Sequence, residues 1–253
     1  GDLSLLNCQK SFAIVGTRKA STYALQQAGR AAYELAESGF VIISGLALGI
    51  DSEAHRGALQ AKGKTIAVLG NAINSIYPPQ NESLAEKIIK NNGLILSEYP
   101  PETVTQKYNF LYRNRIIAGL GDYLFVVEAP ERSGALVTAG FAADYGREVF
   151  ALPGDISRCQ SKGSNNLIAS GAQCVCSIDR LLEAVGATSK KIKISSEDEK
   201  ILSAIVTNAG NFDKILTCLA LNSAELNVEL MRLEIAGLVK KDNLGKYIVV
   251  NYE

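Results

Sequence analysis

Seven short apolar runs recur along the first three quarters of the chain, separated by segments with helical spacing. The runs are FAIVG (12–16), FVIISG (40–45), TIAVLG (65–70), GLILSE (93–98), YLFVVEA (123–129), EVFALPG (148–154) and QCVCS (173–177). Several are rich in Val and Ile, and turn residues bound them, so they read as strands. Between the first two, Tyr23–Ser38 sets Leu25, Ala28, Ala32 and Leu35 on one helical face. Gly134–Tyr145 does the same with Leu136, Ala139 and Ala143. Strands alternating with helices predict an α/β fold, a doubly wound and mostly parallel sheet over residues 1–185. In such sheets a ligand binds beyond the carboxyl ends of the strands. Those ends carry Gly16-Thr17-Arg18, Ser44-Gly45, Gly70-Asn71, Ser97-Glu98, Glu128 and Pro153-Gly154, a rim of small and polar residues.

The stretch FVIISGLALGID (40–51) has the makings of an anion seat. A strand over Phe40–Ile43 runs into Ser44, Gly45 and Gly49, and a helix begins near Asp51. Glycine lets the backbone approach a phosphate, and a helix start offers free N–H groups. A tight turn without a ligand is the plain alternative. Arg18 follows the first strand and reaches the same rim, unless it is merely a surface arginine. Gly163-Ser164-Asn165 precedes another short helix and offers either more backbone N–H groups or a capped turn.

Charge narrows the function classes. The 253 residues carry a net charge of zero, so any nucleic-acid footprint must be local. Residues 103–121 contain no acid, and KYNFLYRNR within them sets Lys107, Arg113 and Arg115 among Tyr108, Phe110 and Tyr112. Cations interleaved with aromatics suit single-stranded nucleic acid: the cations pair with phosphates and the rings stack on unpaired bases. The alternative is a helix start with core aromatics and structural ion pairs.

No apolar run reaches the roughly 18 residues of a membrane span, and no signal peptide opens the sequence. Five cysteines without framework spacing fit a reducing compartment, the cytoplasm. Cys174 and Cys176 fall on one face of a strand and read as small core residues. With His55 the sole histidine, no metal site is expected. His55 itself reads as a satisfied core histidine. No dinucleotide fingerprint, Walker A lysine or nucleophile elbow occurs, so neither a cofactor nor an enzymatic activity is expected.

After Val185 the composition changes. Residues 186–196 read as a linker and 197–253 as a second domain. Ser196 with Glu199 forms a capping-box pattern ahead of KILSAIVTN. DKILTCLA and Ser223–Ala236 read as two further helices, the last with Leu226, Leu230, Leu233 and Met231 facing inward and stopped by Gly237. LVKKDNLGKYIVV reads as a hairpin. Three helices and a hairpin predict a winged-helix module. Its basic and acidic residues balance, and its third helix carries Glu225, Glu229 and Glu234 against Arg232, which favours protein contact or a structural role over duplex reading.

The motifs VGTRKAS (15–21), SGLALGIDSEAHRGAL (44–59), YPPQN (77–81), SEYPP (97–101), RNRIIAGL (113–120), SGALVTAGFA (133–142), GREVFALPG (146–154) and GSNNLIASGA (163–172) occur in this order. Over roughly residues 10–185 they resemble the DNA-processing protein A family of bacteria, also called DprA or Smf, and the tail is similar to that family's winged-helix domain. The resemblance implies a Rossmann-like fold that binds single-stranded DNA, protects incoming strands in natural transformation, helps load the RecA recombinase and forms a homodimer. It implies Arg18 and Lys107 as DNA-pocket cations and Phe110 as a base-contacting aromatic. The expected DNA-binding set is completed by Ser21, Ser44, Gly45, Arg113, Arg115, Gly163, Ser164 and Asn165. Leu111 stands where many members have Pro after the aromatic, and the N-terminal helical domain of many members is not in this sequence. A rival reading is a nucleotide-phosphate hydrolase of the lysine-decarboxylase-like group, but Arg132-Ser133-Gly134-Ala135 stands where that group has P-G-G.

Overall fold

A computed structural model of the chain describes residues 1–187, 195–208, 210–235, 238–242 and 245–249. The chain divides into two compact units, Gly1–Lys190 and Lys191–Glu253.

In the first unit all seven apolar runs form strands: β1 (Ser11–Val15), β2 (Val41–Ser44), β3 (Thr65–Leu69), β4 (Leu94–Ser97), β5 (Tyr123–Val126), β6 (Glu148–Ala151) and β7 (Gln173–Cys174). The crossovers between successive strands carry α1 (Thr22–Glu37), α2 (Ile50–Gln60), α3 (Glu82–Lys90), α4 (Lys107–Leu120), α5 (Gly134–Asp144) and α6 (Lys162–Ala169), and α7 (Ile178–Ala184) follows β7. Every neighbouring pair runs parallel, in the order β4-β3-β2-β1-β5-β6-β7. This is a Rossmann-like doubly wound sheet. Winding runs outward from β1 in one direction and resumes at β5 in the other, so the loops after β1 and β5 part and leave a crevice.

Alternation along each strand divides the core. Phe12 and Ile14 face Leu35 of α1, Ile50 of α2 and Leu181 of α7. Ala13 and Val15 face the opposite layer, with Ile117 of α4 and Ala139 of α5. Phe40 precedes β2 rather than opening it. Its ring meets Phe12 at 6.0 Å and Tyr123 at 6.3 Å, so it serves the first core from the end of the turn.

The sheet corrects the reading of the cysteines. β7 is a two-residue edge strand, and Cys174 and Cys176 are exposed with their sulfurs 3.7 Å apart. An edge strand this short has no second layer over it to bury them.

The second unit holds α8 (Ser196–Thr207), α9 (Phe212–Leu219), α10 (Ser223–Ile235) and an antiparallel pair, β8 (Val239–Lys241) with β9 (Tyr247–Val249). Leu202, Ile205, Ile215, Leu226, Leu230, Leu233 and Tyr247 form its core. Two details differ from expectation. The capping box sits one residue earlier: Ser195 accepts from the Asp198 amide, and the Asp198 carboxylate accepts from the Ser195 amide. Met231 points outward, opposite the three buried leucines. Residues 188–194 of the expected linker, and the expected stop at Ala236–Gly237, lie outside the described residues. Among the described residues no helix is long and apolar enough to cross a membrane.

Candidate functional site

The crevice between the β1 and β5 loops opens into a cleft of about 590 Å³. The β1 loop brings Gly16, Thr17, Arg18 and Lys19 to it, the start of α4 brings Lys107, Phe110, Arg113 and Asn114, and the β5 loop brings Pro130, Arg132 and Ser133. Tyr77 and Gln160 also line it. Parallel winding is what gathers these segments, since each is a loop at the carboxyl end of a strand or the helix start that follows one.

Phe110 is half-buried and belongs to none of the hydrophobic clusters. Its ring lies 5.8 Å from the Arg18 guanidinium and 5.4 Å from the Tyr77 ring. Its seat is the bare backbone of Gly70, where a Cβ would come within 2.6 Å of the ring and 3.0 Å of the Phe110 Cα. Glycine at 70 is thus what lets an aromatic rest at the mouth of the cleft rather than be pushed from it. Arg18, Lys19, Lys107 and Arg132 are exposed and line the same cleft. Among the described residues no carboxylate pairs with any of the four.

Arg113 has a different role from its neighbours in sequence. It is only 4% exposed and lies at the cleft floor. One guanidinium nitrogen donates to the carbonyls of Gly45 and Val68, and Nε donates to Asn114 Oδ1 at 3.2 Å. Asp51, also buried, accepts from the Gly45 and Ala47 amides at 3.2 and 3.3 Å. A Cβ on Gly45 would meet both Arg113 and Asp51 within 3 Å, so glycine is what admits the two charges side by side. Burial pushes the Asp51 carboxyl up, with Arg113 opposing it, and burial pulls Arg113 down to about 10. Arg113 therefore stays charged at neutral pH.

The remaining expected site residues have structural duties. Ser44 is buried and donates to the Ile14 carbonyl, tying β2 to β1. Gly45 borders a small recess continuous with Arg18, Tyr77 and Phe110. Ser21 caps α1, accepting from the Ala24 amide, while its own amide donates to Glu128 Oε2. Arg115 turns to the other side of α4 and pairs with Glu98. The Gly163 and Ser164 amides do not face a ligand as free donors, because both donate to the Ala129 carbonyl. Asn165 exchanges two hydrogen bonds with Gly154 at 3.0 Å. The cleft thus unites Arg18, Lys107, Phe110 and Arg113, takes Gly45 at its border, and leaves out Ser21, Ser44, Arg115, Gly163, Ser164 and Asn165.

Lys19, Tyr77, Arg132 and Gln160 are lining residues that the sequence reading passed over. Lys19 stands beside Arg18, and Tyr77 opens YPPQN. Arg132 lies in the turn after β5, a strand whose end had been recognised as rim.

His55 is fully buried, and its satisfaction is incomplete. Thr65 Oγ1 donates to the Ile42 carbonyl, so at 2.7 Å it accepts from His55 Nδ1. Nε2 is left without a partner among the described residues. Burial, with Arg113 and Arg56 nearby, pulls the imidazole down to about 3, and the ring is neutral. Glu128, at the end of β5, is held by the Ser21 amide with Arg158 3.8 Å away. Among the described residues no cluster of His, Cys, Asp or Glu is placed to hold a metal.

What the cleft offers chemically is the Phe110 and Tyr77 rings among four exposed cations that have no carboxylate partner among the described residues. A family model described as DNA recombination-mediator protein A matches residues 1–186. Protein Smf of Synechocystis is 37% identical, over 92% of this chain and 69% of its own length. The DNA processing protein DprA of Bacillus subtilis is 42% identical, over 72% of this chain and 61% of its own length. A solved structure of DNA processing protein A from Helicobacter pylori, described for its single-stranded DNA binding mode, is 35% identical with a TM-score of 0.68, over 73% of this chain and 84% of that one.

Proposed function

Because the chain belongs to the DNA recombination-mediator protein A family, also known as DprA or Smf, we propose that its cleft binds single-stranded DNA with little base preference. The observation that carries this is that four exposed cations, with no carboxylate partner among the described residues, line one cleft with the half-buried Phe110. A single strand presents phosphates to Arg18, Lys19, Lys107 and Arg132 and a base face to Phe110. A duplex hides that face within its stack. Arg113 and Gly45 act from beneath, holding the floor on which the cations stand.

In the cell this activity protects incoming strands during natural transformation in the cytoplasm and helps load the RecA recombinase, with the protein acting as a homodimer. The protein works by binding and not by turnover. The tail unit serves as a winged helix whose partner is not the bound strand.

The test is a competition titration of the full chain against single strands and duplex of the same sequence at two salt concentrations. Single strands should bind far more tightly, with log K falling by about 0.7 per neutralised phosphate for each decade of salt. Equal affinity for both forms, at either salt concentration, would sink the proposal. Turnover of a nucleoside monophosphate, lost in Glu128→Gln, would favour the hydrolase reading instead.

A further inference from the structure

Helix α10 carries two apolar faces, and only one of them is used. Leu226, Leu230 and Leu233 are at most 1% exposed and fill the core of the tail unit. Val228, Met231 and Ile235 lie on the opposite side of the helix, 65%, 66% and 82% exposed. Their i, i+3, i+7 spacing puts them in one stripe, which Ala224 extends by a further turn. A helix needs one apolar face to fold onto its own domain, and a second stripe of large side chains marks a contact surface.

The charges beside the stripe say what kind of contact. On one flank are Glu225 and Glu229, with Asp198 nearby. Among the described residues Arg232 is the cation on that flank, and Asp198 and Glu229 already pair with it. Glu225 caps the helix by accepting from the Asn222 amide, and stays exposed. On the other flank are Asn227 and Glu234, the latter facing Lys241. The rim is therefore acidic on balance. A phosphate backbone is repelled by it, and so is a second copy of the same stripe laid face to face.

We propose that the outer face of α10 docks a partner protein through an apolar helix face bordered by lysine or arginine. Recognition follows the helix-in-groove pattern, with Val228, Met231 and Ile235 as the anchors and the Glu225–Glu229 flank as the charge that orients the partner. The stripe belongs to the second unit and the cleft to the first, so a protein ligand is added to a DNA ligand.

The experiment uses the full chain and three fluorescent designed helical peptides, read by anisotropy. One has a leucine stripe flanked by lysines, one the same stripe flanked by glutamates, and one the lysine flanks with the leucines changed to serine. The first should saturate, and the other two should bind at least about tenfold more weakly, since each loses either the charge match or the buried apolar area. Val228→Gln with Met231→Gln should weaken the first peptide by a similar factor. Melting and single-strand affinity should stay unchanged, because both side chains face solvent. Glu225→Gln with Glu229→Gln should flatten the salt dependence. Equal binding of the glutamate-flanked peptide, or no effect of the Val228 and Met231 changes, overturns the proposal. It is equally overturned if those changes abolish a self-association seen by sedimentation, or if they weaken duplex binding. The stripe would then belong to a second copy or to DNA.

Discussion

Replacing Arg113 by Ala separates the cleft's floor from its rim. The guanidinium satisfies the Gly45 and Val68 carbonyls and lies beside the buried Asp51. Its removal strands two buried carbonyls and takes a buried cation from beside Asp51, a loss of about 3–5 kcal/mol. For a unit of this size each kcal/mol lowers the melting temperature by about 2–4 °C, so the fall should be roughly 6–20 °C. Arg113→Lys should recover only part of this, because an ammonium can replace the one nitrogen that serves both carbonyls but not the fixed Nε that also reaches Asn114 Oδ1. Arg18→Ala is the contrast. That side chain is exposed and lies over the Phe110 ring, with no carboxylate partner among the described residues. The change should leave melting within a degree or two while flattening the salt slope of single-strand binding by up to about 0.7. Melting is followed by circular dichroism, and binding is measured on the folded fraction of each variant across a salt series. If Arg113→Ala melts like the parent and flattens the slope as Arg18→Ala does, Arg113 is a phosphate contact. The buried network described here is then wrong.

Three further outcomes follow from the same geometry. Phe110→Ala should cost about 1–3 kcal/mol of single-strand affinity, the range for base–aromatic stacking, with the salt slope unchanged; a sharp drop in melting temperature with affinity intact would make the ring a core residue instead. Gly70→Ala drives a Cβ into the Phe110 ring, so it should lose affinity as Phe110→Ala does, and the double variant should be no weaker than either single one in the same titration. His55 is held at about 3 in the fold against 6.5 when unfolded, so between these values the unfolded chain binds the extra proton. Its contribution is complete above pH 6.5 and is lost as pH falls toward 3, by at most about 1.4 kcal/mol per pH unit. The stability difference between the parent and His55→Asn, measured by denaturant titration at several pH values, should shrink across that window, and a constant difference would refute the assignment.

The sheet was legible because each strand is a short Val/Ile-rich run set off by turn residues, a pattern that survives any arrangement of the helices. The cleft was legible in part. Arg18 and Phe110 follow from their places after β1 and at the start of α4. Arg113 did not, because burial depends on which side of α4 faces the sheet. A three-residue step from Phe110 takes the chain from the cleft's mouth to its floor, and a further two to a surface pair with Glu98. A run of cations in sequence carries no mark of which will be consumed by carbonyls. Gly163 and Ser164 misled for a similar reason: a glycine-rich helix start advertises amides, but the Ala129 carbonyl, contributed by a loop some thirty residues away, takes them. The capping box slipped by one residue because Ser195-Ser196 and Asp198-Glu199 offer two equivalent frames, and only the extended backbone at Ser195 decides between them.

The strand order also has a consequence for how the protein is made. β1 lies at the centre of the sheet, yet its neighbour β5 is separated from it by more than a hundred residues of chain. As the chain emerges from a ribosome, β1 to β4 can pair while one edge of β1 stays bare, with Phe12 and Ile14 lacking Tyr123 and Phe125 beside them. Such an open edge is a template for other chains. Half of the cleft is likewise missing until the β5 loop arrives. A nascent chain halted before Tyr123 therefore exposes that edge and carries only half of the cleft.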